Sequence, residues 1–273
     1  MKKQIAVIIC IAILACTIIG TANAQKAGFT ADSGLQVNPV TIDGKWTTAS
    51  EWTDAAEYPL SGGLNGIFRL KWWAAEDFST IYQYFLVEIV SDTTNDAADT
   101  VQVCYAAAVE LFGTPTGGTT PKTDCWKFEV NGTDPTATLA VSKGTGTAWA
   151  NFTAWTRTNC NASVTIAASP LSATPHKIIE FRIEHISLAI NPTTWILVSG
   201  YDASNSASGV QVWPTGSSRD IPNDYGLLNS MFEPIPESLS FGIVVLLSSA
   251  ALIVGSYYLR KRPKTTILTP TKL

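Results

Sequence analysis

The chain has 273 residues, 46% of them apolar, with 22 acidic and 18 basic residues and a formal net charge of −4. That apolar share fills a core and excludes a wholly disordered chain. Two histidines and five cysteines give a zinc centre almost nothing to use.

Lys2 and Lys3 precede an apolar run from Ile5 to Gly20, and Ala22, Asn23 and Ala24 supply small residues before Gln25. This is the pattern of a secretory signal peptide over residues 1–24. At the other end, Leu239 to Leu259 contains no charge and is followed by Arg260, Lys261, Arg262 and Lys264. As a helix it would be about 31 Å long, which matches a hydrocarbon core of about 30 Å. The expectation is a single-pass membrane protein with residues 260–273 as a basic cytoplasmic tail and everything before the span outside. All 22 acidic residues lie between Asp32 and Glu237, and seven of the 18 basic residues lie in the terminal segments, so the exterior part carries −11. Such a field argues against nucleic acid and against docking flat on anionic lipid.

Residues 25–39 read as an extension, 40–228 as one domain and 229–238 as a short linker. Within the domain the strand signals recur. Ile67 to Trp73 sets Phe68, Leu70 and Trp72 against Arg69 and Lys71, the period of a half-buried strand. Ile81 to Val90 is aromatic and β-branched, and Thr100 to Phe112 resumes after the polar loop Asp92 to Asp99. Cys125 to Val130, Ala137 to Val141, Val164 to Ala168, Lys177 to Ser187, Thr194 to Tyr201 and Gly209 to Trp213 follow, separated by Gly, Pro and Asn turns. In Lys177 to Ser187, Glu180, Arg182 and Glu184 share one phase and look like water-facing charges. Val40 to Ile42 reads as a further short strand, and Ser50 to Glu57 is the one window that could hold a helix. The fold predicted is all-β, an antiparallel, jelly-roll-like β-sandwich followed by a C-terminal transmembrane helix.

Candidate functional groups follow from residue type. Trp73, Trp149, Trp155 and Trp213 are the tryptophans most open to a ligand: Trp73 shares the phase of Arg69 and Lys71, Trp149 and Trp155 lie in Gly- and Thr-rich sequence, and Trp213 ends a strand. Trp46, Trp52, Trp126 and Trp195 read as packing. Asp92, Asp96 and Asp99, with Asn95, place hard oxygen donors within eight residues, which suits calcium, although the same order suits a solvated hairpin loop. Of the three cysteines left after the leader, Cys125 and Cys160 are the expected disulfide, since Cys104 sits in an apolar strand. Asn131, Asn151 and Asn161 head glycosylation sequons. A nucleophile elbow, a phosphate-binding glycine loop and a zinc-protease helix are all missing, so catalysis is not expected.

The opening Ile42-Asp43-Gly44-Lys45-Trp46, with Glu51-Trp52 and Ala55, resembles the start of extracellular β-sandwich modules related to DOMON domains and family-nine carbohydrate-binding modules. The strand Ile178-Ile179-Glu180-Phe181-Arg182-Ile183 after Pro175-His176 is similar to a late strand of such modules. The resemblance spans roughly Val40 to Pro214. It implies an extracytoplasmic, non-catalytic binder of sugar or, in the DOMON branch, of haem; neither histidine nor Met231 stands where axial ligands would. The whole plan also looks like archaeal cell-surface proteins with a Pro-Glu-Phe sorting motif before the span, where this chain has Pro236-Glu237-Ser238, so retention in the membrane is the expectation. The functional expectation is a surface module that binds carbohydrate through exposed aromatics. The alternative is a structural or adhesive surface protein that packs against neighbouring surface proteins.

Overall fold

The computed structural model describes residues 29–107, 118–132, 138–186, 188, 190 and 193–229. The chain divides into two units, Met1–Met231 and Phe232–Leu273, and every described residue belongs to the first. The expected leader and the span at 239–259 lie outside the described residues. Among those described, no helix is long and apolar enough to cross a membrane.

The described chain is all-β. In order its strands are β1 (Thr30–Asp32), β2 (Gly34–Leu35), β3 (Ala56–Pro59), β4 (Gly66–Ala74), β5 (Ile81–Ile89), β6 (Thr100–Ala107) and β7 (Cys125–Asn131). There follow β8 (Thr138–Gly144), β9 (Trp149–Asn151), β10 (Cys160–Ala167), β11 (His176–Glu184), β12 (Thr193–Tyr201), β13 (Gln211–Trp213) and β14 (Gly226–Asn229). Two short 3-10 turns, at Ser206–Ser208 and Pro222–Asp224, are the helical content among these residues.

The strands form two sheets. The first runs β1-β14-β12-β6-β7-β8-β9, with β13 also on β12; the second runs β10-β11-β5-β4-β2, with β3 also on β4. Most pairs are antiparallel, as expected, but β1 with β14 and β2 with β4 are parallel, so both sheets are mixed. The stretch assigned to an N-terminal extension thus supplies a short strand to each sheet.

The periodicity read from the sequence sets the core. Phe68 and Leu70 of β4, Phe85 and Val87 of β5, and Ile179 and Phe181 of β11 pack in one cluster with Val103 and Tyr105 of β6, Phe128 of β7 and Val198 of β12. Residues of alternate phase leave by the opposite face. That opposite face of the second sheet is not open to water. Residues 36–55, which contain neither the short strand read at Val40 to Ile42 nor the helix considered for Ser50 to Glu57, cross it as a chain of turns. The turn bonds there run from Glu51, Thr53 and Ala55 amides to the carbonyls three residues back, a spacing that closes turns without propagating a helix. Trp52 sinks to 1% exposure against Tyr84, Leu86 and Ile178, with Val40, Ile42 and Trp46 alongside.

Candidate functional site

The covering segment is held by buried polar and charged groups as well as by apolar contact. Glu180 of β11, read as water-facing, is fully buried. Its Oε2 accepts the Asp43 and Gly44 amides at 2.9 and 2.8 Å, and its Oε1 accepts the Trp52 Nε1–H at 2.9 Å. Burial pushes its carboxyl up to about 8, with those three donors opposing the shift. Gly44 is required at this approach: its φ is +82°, and a Cβ would meet the Val164 carbonyl carbon at 2.8 Å. The Asp43-Gly44 turn and the Glu180 strand therefore meet in one hydrogen-bonded joint.

Lys71 of β4 is buried too, with Nζ donating to the Asn38 and Glu51 carbonyls and to Asp54 Oδ1 at 2.7 Å. Asp54 Oδ2 in turn accepts the Val37 and Asn38 amides at 2.6 and 2.8 Å. Glu51 takes the Thr41 and Thr47 amides. Arg69 pairs with Glu88 and Glu57 and lies 5.0 Å from the Trp46 ring centroid. Glu184, also expected in water, is only 7% exposed. An unpaired charge would not tolerate this cover; each one here has a partner.

Cover stops short of one end of that sheet. Trp73, near the end of β4, is 38% exposed and sits directly across from Tyr82 of β5, their rings stacked at 5.8 Å with a 23° interplanar angle. Arg182 lies over Tyr82 at 5.0 Å. Its guanidinium is oriented by the Arg157 carbonyl at 2.9 Å. Beyond Trp73 the chain turns through residues 75–80, and at the tip Phe78 is 54% exposed with φ of +55°. A bulky side chain at positive φ is disfavoured, by about 1–3 kcal/mol, and is usually found where the surroundings need it. Leu35, register partner of Trp72, then Val37, and Ile186 just past β11 are exposed as well. Five of the seven exposed large apolar side chains among the described residues, Leu35, Val37, Trp73, Phe78 and Ile186, thus belong to strands and turns at this end of the second sheet.

The other tryptophans singled out by sequence do not join them. Trp213 is corrected to core: it is 6% exposed and packed by Phe29, Tyr58 and Phe68 at 5.5–6.3 Å, because β13 pairs with the C-terminal part of β12, Trp213 opposite Val198, and turns this residue inward. Trp149 belongs to the other sheet, half-buried, with its Nε1–H on Asp220 Oδ1 at 2.9 Å and Lys127 at 5.8 Å from its ring. Trp155 is half-buried against the main core. The four do not form one clamp. Phe78, Tyr82 and Arg182 were missed; a large aromatic in the polar turn Glu76-Asp77-Phe78-Ser79 was the available signal.

The acidic loop is rearranged relative to expectation. Asp92 and Asp99 come together, but the third carboxylate is Asp202 at the end of β12, and one ligand oxygen from each lies within 4.8 Å of the others. Asp96 instead accepts Thr94 Oγ1 at 2.6 Å and is partly exposed. The expected Cys125–Cys160 bond is also corrected: both thiols are free. Cys125 lies on the outer side of the first sheet with Cys104, while Cys160 belongs to the second sheet and the central core. Of the sequon asparagines, Asn151 is exposed at the end of β9, Asn161 is half-buried in β10, and Asn131 donates its side-chain amide to Glu129 Oε1 at 2.7 Å.

No family model, curated protein or solved structure matches this chain.

Proposed function

We propose that the protein is a non-catalytic, membrane-anchored surface module that binds carbohydrate on the uncovered end of its second sheet. The observation that supports this most is the stacked, solvent-reaching Trp73–Tyr82 pair beside the strained, exposed Phe78. Flat aromatic surface matches the apolar face of a pyranose ring, and the oriented Arg182 guanidinium supplies planar donors for hydroxyl groups. The predicted span at 239–259 would tether the module at the cell surface.

The test is co-sedimentation of the detergent-purified full chain with a panel of insoluble polysaccharides. Wild type is expected to sediment with at least one of them, and F78N to lose tenfold or more in affinity. Because asparagine accepts positive φ, F78N should melt at or slightly above the wild-type temperature. A variant that binds like wild type would remove Phe78 from the site, and wild type that sediments with none would defeat the proposal.

The structural alternative rests on β10, which ends the second sheet among the described strands and leaves one side of an eight-residue strand unpaired. Such an edge can add a neighbour's strand.

A further inference from the structure

We propose that Asp92, Asp99 and Asp202 form a calcium site that ties the two sheets together where β5, β6 and β12 end or begin. The three carboxylates are 0%, 3% and 1% exposed, and they come from separate parts of the chain: just past β5, just before β6, and just past β12. Asp92 and Asp202 accept backbone amides through Oδ1 alone, and Asp99 through both oxygens, its Oδ2 taking the Asp96 amide at 3.1 Å. Asp92 Oδ1 accepts the Thr94 amide at 3.1 Å, Asp99 Oδ1 the Ala203 amide at 2.8 Å, and Asp202 Oδ1 the Ser204 and Asn205 amides at 2.8 and 3.1 Å.

What points to a ligand is the set of oxygens left over. Asp92 Oδ2 and Asp202 Oδ2 are both buried without a hydrogen bond. A buried carboxylate oxygen in that condition costs several kcal/mol unless a cation meets it. One cation is already present. Lys177 of β11, itself 2% exposed, pairs with Asp99 and stands 3.5 Å from Asp92 Oδ2. It balances one of three negative charges, and the two that remain match one divalent ion. All donors are oxygen, which selects a hard cation, and calcium accepts the irregular, many-oxygen surroundings that magnesium does not.

The experiment uses the full chain in detergent, stripped with EDTA and titrated with calcium chloride alone, read by calorimetry and by thermal melting. One equivalent is expected to bind with Kd on the order of 10⁻⁴ M, the range of extracellular modules, and to raise the melting temperature. D202N should weaken binding at least tenfold, whereas D96N, which alters a residue of the loop outside the cluster, should stay within twofold. Absence of binding to the wild-type chain overturns the proposal whatever the variants do. Equal losses in D96N and D202N overturn the assignment to these three residues.

Discussion

Replacement of Lys71 by methionine is expected to destabilise the protein by about 3–5 kcal/mol, the usual consequence of removing one partner from a buried ion pair. Methionine matches the aliphatic stem, so the loss is electrostatic. It strands the Asp54 carboxylate and leaves the Asn38 and Glu51 carbonyls without their shared donor. All three belong to the segment that covers the second sheet, so that segment should be the first to open. Hydrogen exchange should show it as early loss of protection at the Val37, Asn38 and Thr41 amides, which bond to Asp54 and Glu51. A K71M variant as stable as wild type would mean that the cover is held by Glu180 and the Trp52 contacts without Lys71.

Mild acid should weaken the fold at His185. Its ring is 1% exposed, packed edge-on to Tyr105 at 5.5 Å, and neither nitrogen has a hydrogen bond. Burial therefore pulls it down from 6.5 to about 3. The sign follows from proton counting: below 6.5 the unfolded chain binds a proton that the folded chain refuses. The His185 contribution is then complete above pH 6.5 and is lost as pH drops toward 3, by about 1.4 kcal/mol per pH unit. In denaturant unfolding, between pH 6.5 and pH 4.5 wild type should lose about 2–3 kcal/mol more stability than H185L, because Glu180, whose raised carboxyl contributes in the opposite direction over this range, is common to both proteins. Equal pH dependence in the two proteins would show that carboxylates alone govern acid unfolding.

Much of this architecture is legible in the sequence. The alternation in Ile67 to Trp73, Cys125 to Val130 and Ile179 to Glu184 gives the inner faces correctly, because an inward residue needs an apolar side chain whatever covers the other side. The same alternation misleads about Glu180 and Glu184. Their outward phase says only that they leave the core: Glu184 meets the Asn159 side chain, and Glu180 is covered by a segment about 130 residues earlier whose donors include backbone amides at Asp43 and Gly44. Backbone donors leave no trace in a side-chain pattern. The short strands β1, β2, β3 and β14 escape for a related reason: two to four residues are too few to show a period.

Site residues divide along the same line. Trp73 is readable from phase alone, since it follows Arg69 and Lys71 outward and lies beyond the reach of the cover. Trp213 is not, because its direction depends on β13 pairing with Val198 rather than extending past the sheet. Asp202 is separated from Asp99 by about a hundred residues and reaches it only when β6 and β12 pair, so a local search for acidic clusters selects Asp96 in its place.

The most direct test of carbohydrate recognition is a quantitative glycan array probed with the detergent-purified full chain beside its W73A variant. Trp73 is partly exposed at a strand end, so the variant should keep its fold and melt within a few degrees of wild type. The account predicts that wild type is retained on a defined set of glycans and that W73A loses that retention at least tenfold. Retention unchanged in W73A, or no retention of wild type on any glycan, would contradict it.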